Sequence, residues 1–420
     1  MIPLFDDYKK RWSVTSDDVI KPGLTAIEEA LALVGNPEKK LQIVHLAGTN
    51  GKGSTVTFLE AIAHEHGLKV GTFMSPCLVN VHDQIQVMKQ CITQAQMDRV
   101  FQQMKSAGLS GKLTDFELLT VAAFLHFVNC DVDIALIEAG MGGLLDSTNV
   151  VLPIVSIIPS IALEHTKFLG STIESIAQHK AGIIKPHRPV VIGEVPLEAK
   201  VVIEQVAHAK QAPIFALNQH FTVEQKLQDE CYQNHEQNVY ITNLTRQMKG
   251  PHQANNMALA ITAFIEVAAV LHRTVDVESL RRGIEGASIL GRFEEVMPYV
   301  IFDGAHNPDS AEKLVATIRQ QFPHESVTFV IGILGDKDVK EVLRNFEQIS
   351  EQFYFVDFDN PRAMAAEELL AISGASQKAI LSDAISFLQQ QSEKKCRTIV
   401  SGSLYLLTEV RSKLLGPNKK

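Results

Sequence analysis

His45-Leu46-Ala47-Gly48-Thr49-Asn50-Gly51-Lys52-Gly53-Ser54-Thr55 closes an apolar run, Gln42 to Ala47, with glycines and opens onto a helical pattern from Ser54 to His64. Strand, glycine turn and helix in succession aim several backbone N–H groups and a helix N-terminus at one anion. Lys52 adds a point charge suited to phosphate, and the hydroxyl of Ser54 or Thr55 suits a magnesium ion. The spacing departs from G-x-x-x-x-G-K-[ST], because Leu46 stands where the first glycine belongs. Glycines after a strand are often only a tight turn. Here a lysine and two hydroxyls lie beside them, so Thr49, Asn50, Gly51, Lys52, Gly53 and Ser54 read as a nucleotide-binding loop.

At 420 residues the chain exceeds what one hydrophobic core usually serves, so two domains are expected. Hydrophobic residues at 45% and charged residues at 21% are ordinary for a globular protein. A formal net charge of −9 argues against a nucleic-acid partner, yet leaves room for a local basic cleft around an anionic substrate. Cys77, Cys91, Cys130, Cys231 and Cys396 are scattered without a C-x-x-C pair, which points to reduced thiols and away from zinc. The first thirteen residues mix acids and bases and lack the apolar core of a signal peptide, and no stretch reads as a membrane span. The expectation is a cytoplasmic protein.

Outward from the loop, helical spacing precedes it between Lys21 and Gly35. Apolar strands at Lys69–Met74, Val132–Glu138, Pro153–Pro159 and Pro189–Ile192 alternate with helices at Gln94–Ser106, Phe116–Val128 and Ile173–Ala181. That alternation indicates an α/β fold with a mostly parallel sheet covered on both faces, whose ligands gather at the carboxyl ends of the strands. Gly48, Ser75, Glu138 and His165 each fall just after a strand. Gln211 to Gln247 is more polar, with β-like pieces near Phe221 and Val239, and reads as a peripheral hairpin. After a helix at Asn255–Leu271, a second, smaller α/β unit starts near Leu290. Its strands are Tyr299–Asp303, Val327–Ile333, Phe353–Phe358 and Thr398–Val400; its helices are Asp309–Gln321, Val339–Gln352 and a stretch near Ala379–Gln390. The expected domains are 1–290 and 291–420.

Ser75 and Glu138 offer hard oxygen ligands for magnesium and His165 a third, although a lone Glu or His after a strand is more often structural. Lys180 lies in a small, apolar helix and by periodicity alone is a solvated lysine. Asp303-Gly304-Ala305-His306-Asn307-Pro308 packs an acid, an imidazole and an amide after a strand, though Asn-Pro also marks plain turns. Ser401-Gly402-Ser403-Leu404-Tyr405 is a strand-to-helix turn that either binds a carboxylate or phosphate or serves only as a cap.

Taken together, these segments resemble one family. Gly48 to Ser54, Glu138-Ala139-Gly140-Met141-Gly142-Gly143, Asp146-Ser147-Thr148-Asn149 and His179-Lys180-Ala181-Gly182-Ile183 occur in this order. They are followed by His252-Gln253 with Asn256, Gly291-Arg292, Asp303 to Pro308, Gly335-Asp336-Lys337-Asp338 and Gly402-Ser403-Leu404-Tyr405. The chain is similar, from about Gly23 to Leu415, to the folylpolyglutamate synthases of the Mur ligase superfamily. The resemblance implies a P-loop domain of the Mur central-domain type followed by a Rossmann-like one. It also implies a monomer that uses ATP and magnesium, with potassium as a candidate second cation, to join L-glutamate to the γ-carboxylate of a reduced folate through an acyl phosphate. On this basis Lys52, Lys180 and His306 are catalytic, Lys180 as a carbamylated metal ligand beside Ser75, Glu138 and His165. Asn256, Arg292 and Asp303 join the loop around ATP. Phe116, Asp146, Ser147, His306 and Ser403 face the folate and glutamate.

Departures from the family pattern are specific. Cys77 replaces a histidine, Asp83-Gln84-Ile85 replaces Glu-Arg-Ile, Leu144 an arginine and Glu164 an aspartate, while Lys21-Pro22 replaces Asp-Leu. They spare the ATP and metal residues but point away from a second activity, ligation of glutamate to dihydropteroate. A bifunctional enzyme is the alternative, and a non-catalytic nucleotide-binding paralogue a further one. A Mur-type cell-wall ligase would carry a sizeable domain before the loop, where 47 residues precede Gly48.

Overall fold

The computed structural model describes residues 2–17, 23–77, 79–226 and 229–416, so the Lys21-Pro22 departure lies outside the described residues. The chain divides into two compact units, one of residues 1–247 and 254–287, the other of residues 248–253 and 288–420.

In the first unit the apolar runs become strands β1 (Ile43–Leu46), β2 (Val70–Phe73), β3 (Ile85–Val87), β4 (Gln90–Cys91), β5 (Ile134–Glu138), β6 (Val155–Ser160), β7 (Val190–Glu194) and β8 (Ile214–Ala216). They form one sheet in the order β4-β3-β2-β5-β1-β6-β7-β8. The pairings from β2 to β8 are parallel and the β3–β4 edge is antiparallel. Every residue of β1, β2, β5 and β6 is buried, which is why they read as unbroken apolar runs rather than alternating ones. From β1 the chain moves outward to β2, returns through β5, and continues on the other side through β6 to β8. Strand order therefore reverses at β1, where open α/β sheets place their ligands.

Local chemistry sets the helix starts. Thr93, Thr114 and Thr172 each form a reciprocal capping box at the head of Gln94–Ser106, Asp115–Asn129 and Ile173–Ala181. The region expected to be a hairpin is a three-stranded antiparallel sheet of β9 (Phe221–Gln225), β10 (Glu230–Asn234) and β11 (Val239–Leu244). Sequence reading passes over β10 because its Glu, Gln and Asn hide the pattern. One helix, Pro251–Val270, is long and apolar enough to cross a membrane by length and composition, contrary to the expectation of no such stretch; 72% of its apolar 18-residue window is buried inside the protein, as in a core helix. The helices Phe5–Trp12, Leu197–Ala209 and Val277–Gly286 are further elements that the sequence reading does not assign.

In the second unit β12 (Glu294–Met297), β13 (Val300–Phe302), β14 (Thr328–Ile331), β15 (Gln352–Phe355), β16 (Gln377–Ile380) and β17 (Thr398–Ser401) order as β12-β13-β17-β14-β15-β16. Two expectations need correction. The stretch Ala379–Gln390 is the end of strand β16 followed by a helix, Ala384–Glu393, and the helix from Val339 stops at Phe346 rather than Gln352. All four residues of β16 are exposed, so no apolar alternation marks it as a strand.

Candidate active site

Gly48 to Gly51 turn out of β1 at the strand-order reversal, and the following helix, Lys52–Glu65, points its N-terminus back at the turn. The turn is laced to the end of β6. Thr49 N–H donates to Ser160 O (2.9 Å), Asn50 N–H to Ser160 Oγ (3.0 Å), and Ser160 Oγ–H to Asn50 O (3.0 Å). The N–H groups of Thr49 and Asn50 are thus spent on the scaffold. The helix ladder starts with Thr55 N–H donating to Gly51 O (2.9 Å), so the N–H groups of residues 52–54 precede it at the helix mouth. Thr55 Oγ1–H also donates to Gly51 O (2.9 Å), which turns that hydroxyl into the helix and favours Ser54 as the outward one. Gly51 is left-handed (φ 84°), and a Cβ there would come within 2.6 Å of Asn256 Oδ1, so Asn256 lies directly against the loop. Ser160 is a residue that sequence reading does not single out, since a lone serine at a strand end carries no signal.

Strands β2, β5, β1 and β6 are consecutive in the sheet, and from their carboxyl ends come Ser75, Glu138, the glycine loop and His165. Lys52 Nζ lies 3.7 Å from Glu138 Oε1 and donates to Gly48 O at 2.8 Å. Lys180 is buried, not solvated: its helix packs against Leu197–Ala209, and only 3% of the residue is exposed. Burial, with the Lys52 cation adding to it, pulls its amine from the ordinary lysine range down to about 7, while Glu164, Asp146 and Glu138 pull the other way. A buried amine that is partly neutral near pH 7 can act as a nucleophile.

The Asp146-Ser147-Thr148-Asn149 segment is buried throughout and turned inward. Asp146 accepts from Met141 N–H (2.8 Å), Thr148 N–H (3.0 Å), Thr148 Oγ1–H (2.5 Å) and Gly140 N–H. Those donors match the roughly four lone-pair sites of a carboxylate. Ser147 Oγ lies 3.0 Å from Thr120 Oγ1, and Asn149 Nδ2 donates to Leu144 O (3.0 Å) and Gly182 O (3.2 Å). The segment thus knits the turn after Glu138 to the end of the Lys180 helix. Phe116 stacks on Phe73 (5.7 Å between ring centres) and covers Gly140, where a Cβ would sit 2.6 Å from Phe116 Cζ. The thiol of Cys77 is buried and pushed up to about 11, by burial first and the Asp83 charge second.

In the second unit, Asp303 follows β13 and accepts from Phe293 N–H (2.9 Å) and Ala305 N–H (2.9 Å). Desolvation raises its carboxyl pKa, with the Arg292 guanidinium opposing. His306 Nδ1–H donates to Gly304 O (2.7 Å), which fixes the ring against its own turn. Asn307 caps the helix Pro308–Gln321 through a capping box, so Asn-Pro is at once a helix start and part of the motif. Ser403 caps Leu404–Leu415, accepting from Tyr405 N–H (3.2 Å). Because β13 and β17 are parallel neighbours, Gly402 N–H reaches Ala305 O (3.0 Å) and the His306 and Ser403 turns lie side by side.

The first unit's donors suit magnesium. Ser75 and Glu138 carry hard oxygen donors of the kind magnesium takes, and the Glu138 carboxylate is buried beside Lys52. Among the described residues no three His, Cys, Asp or Glu side chains gather as a cage. Magnesium ordinarily completes its shell with water and phosphate.

A family profile described as the Mur ligase middle domain matches residues 46–264, and one described as dihydrofolate synthetase, C-terminal domain, matches residues 292–414. The chain is 35% identical to a Bacillus subtilis protein named dihydrofolate synthase/folylpolyglutamate synthase, over 94% of this chain and 95% of that one. It is 31% identical to the folylpolyglutamate synthase of Lacticaseibacillus casei, over 92% and 93% of the two chains. The structure of Escherichia coli FolC in complex with DHPP and ADP superposes with a TM-score of 0.89 at 29% identity, covering 99% of this chain and 98% of that one. The chain belongs to the folylpolyglutamate synthase/dihydrofolate synthase family, within the Mur ligase superfamily, and is an ATP-binding ligase.

Proposed function

We propose that this ligase adds L-glutamate to the γ-carboxylate of a reduced folate, tetrahydrofolate or its methylene form, in the cytoplasm. The carrying observation is Lys52 lying 3.7 Å from buried Glu138 at the strand-order reversal, with buried Lys180 close enough to feel the charge of both. A carboxylate is a poor electrophile. Its oxygen attacks the γ-phosphorus of ATP, the bond to the bridging oxygen breaks, and ADP leaves. The amine of glutamate then attacks the acyl carbon, loses a proton, and expels inorganic phosphate.

Lys52 and the N–H groups at the mouth of its helix would offset charge that grows on the phosphate oxygens. Ser75, Glu138 and His165 would hold magnesium, which supplies further charge neutralisation when bound. Lys180 as a neutral amine would add to carbon dioxide, losing a proton and becoming a carbamate that serves as one more oxygen ligand. Asn256, Arg292 and Asp303 would contact ATP, Phe116 would flank the pterin ring, and His306 with Ser403 would receive glutamate. Asp146 and Ser147, directed inward, would shape the folate wall from behind.

A bifunctional enzyme is the second reading. It is favoured by the Bacillus subtilis relative, which is named for both activities at 35% identity. ADP release measured with glutamate plus tetrahydrofolate, methylene-tetrahydrofolate or dihydropteroate, each alone, decides between them. Turnover on reduced folates only supports the first reading, turnover on dihydropteroate as well supports the second, and none on any substrate overturns both.

A further inference from the structure

His45 lies on β1 with no exposed surface, three residues before Gly48. Its Nε2 is 2.8 Å from Thr148 Oγ1, while Nδ1 has no hydrogen-bond partner. A leucine would fill such a core position without desolvating an imidazole, so the residue's polar contact needs an account. Proton counting supplies one. Burial is the largest influence on Asp146 and raises its carboxyl pKa; three backbone N–H groups oppose that rise, and they engage both carboxyl oxygens as acceptors. The 2.5 Å contact from Thr148 Oγ1 is therefore the hydroxyl donating its single proton to Asp146. Toward His45 the same oxygen can only accept, so the imidazole carries its proton on Nε2 and leaves Nδ1 bare. Burial first, and the Lys185 cation second, push the ring down to about 3, so it is neutral at any working pH. A bare buried acceptor is also the less costly orphan than a buried N–H.

We propose that His45 is a positioning residue for the ligase reaction: through the Thr148 hydroxyl it orients the Asp146 carboxylate that holds the Gly140–Met141 turn behind Glu138. One end of this relay is the strand that delivers the nucleotide loop, and the other is the turn that follows the Glu138 carboxylate and seats Phe116. Strand and turn are locked to each other by directional bonds in addition to packing. Loss of the relay leaves Asp146 and Thr148 buried with a donor missing, a defect that is felt at the turn rather than at the loop.

The kinetic part of this proposal rests on the ligase reading, whereas the tautomer does not. Histidine-labelled full chain, read by long-range ¹H–¹⁵N NMR, is expected to show His45 with a pyrrole-type Nε2 and a pyridine-type Nδ1, assigned by the loss of both signals in His45→Gln. An Nδ1–H tautomer or a charged ring overturns the proposal. In ADP-release assays with a reduced folate and glutamate, His45→Phe and Thr148→Val are each expected to lower kcat about tenfold, the lower end of what outer-shell partners are worth, with KM for ATP unmoved. His45→Gln, which keeps an N–H near the Nε2 position, should recover most of the loss. The double variant should be no slower than either single one, since a chain is broken only once. Unchanged kcat in Thr148→Val, or losses that multiply in the double variant, overturns the proposal. If His45→Phe does not fold, Thr148→Val and the spectrum still decide. A wild-type chain with no turnover would refute the ligase reading, and the spectrum would then decide the relay alone.

Discussion

Lys52 Nζ stands 3.7 Å from Glu138 Oε1 while donating to the carbonyls of Gly48 (2.8 Å) and Thr49 (3.2 Å). The cation is folded back onto its own loop and balanced against a buried carboxylate. Phosphate oxygens make stronger, charge-assisted contacts than carbonyls do, so a nucleotide would draw the ammonium outward. Lys52→Ala is expected to lower turnover on the order of 100- to 1,000-fold, the value of one preorganised donor to developing charge. Coupled measurement of ADP release checks this, with circular dichroism to confirm the fold; near-normal turnover would contradict the phosphate role.

The contact between Gly51 and Asn256 makes a second, independent test. An added methyl meets two obstacles, the left-handed backbone and the amide oxygen 2.6 Å away. The backbone alone costs about 1–2 kcal/mol for a non-glycine residue. Gly51→Ala should therefore raise KM for ATP and lower thermal stability, while KM for folate stays put. Equal KM for ATP in variant and parent would show that the loop is not shaped for the nucleotide.

For Lys180, the expected result is chemical rescue. Lys180→Ala should lose activity and regain part of it with added formate or acetate, small carboxylates that replace the missing carbamate oxygen. No rescue at any concentration would leave carbamylation unsupported.

Stability against pH gives an independent check on the same residue. Its folded pKa is about 7 against an ordinary 10.5. Between those values the unfolded chain binds a proton that the folded chain does not, so Lys180's contribution rises with pH through that window and is least favourable below it. Lys180→Met should stabilise the protein most at about pH 6, with the gain shrinking toward about pH 10. Urea titrations at several pH values measure this, and a gain that does not vary with pH would sink the argument.

Gly140 lies under Phe116 so closely that a Cβ would sit 2.6 Å from its ring. Gly140→Ala should push the ring off Phe73 and raise KM for the folate roughly tenfold, equivalent to about 1.4 kcal/mol. KM for ATP should not follow. A rise confined to ATP would remove Phe116 from the pterin site.

Much of the first unit was legible locally. Gln94–Ser106 and Ile173–Ala181 read to the residue, because threonine caps and apolar spacing are carried by neighbouring positions. The four strands that lead to Gly48, Ser75, Glu138 and His165 were legible for the same reason. The edge strand Gln377–Ile380 was not, since its side chains are all exposed and nothing in their order distinguishes strand from helix. Asp146 and Ser147 read as substrate contacts by resemblance, and only the folded chain turns them toward Met141 and Thr120.

By itself the sequence determined the parallel α/β scheme, the glycine turn after the first strand and the family, because glycine spacing, strand hydrophobicity and motif order are properties of the linear chain. Tertiary structure alone decided that Lys180 is buried with its pKa pulled down, that Lys52 faces Glu138, and that His45 meets Thr148, which in turn meets Asp146. Desolvation and hydrogen-bond direction depend on what packs around a group, and residues 100 or so positions apart meet only after the sheet has closed its strand order.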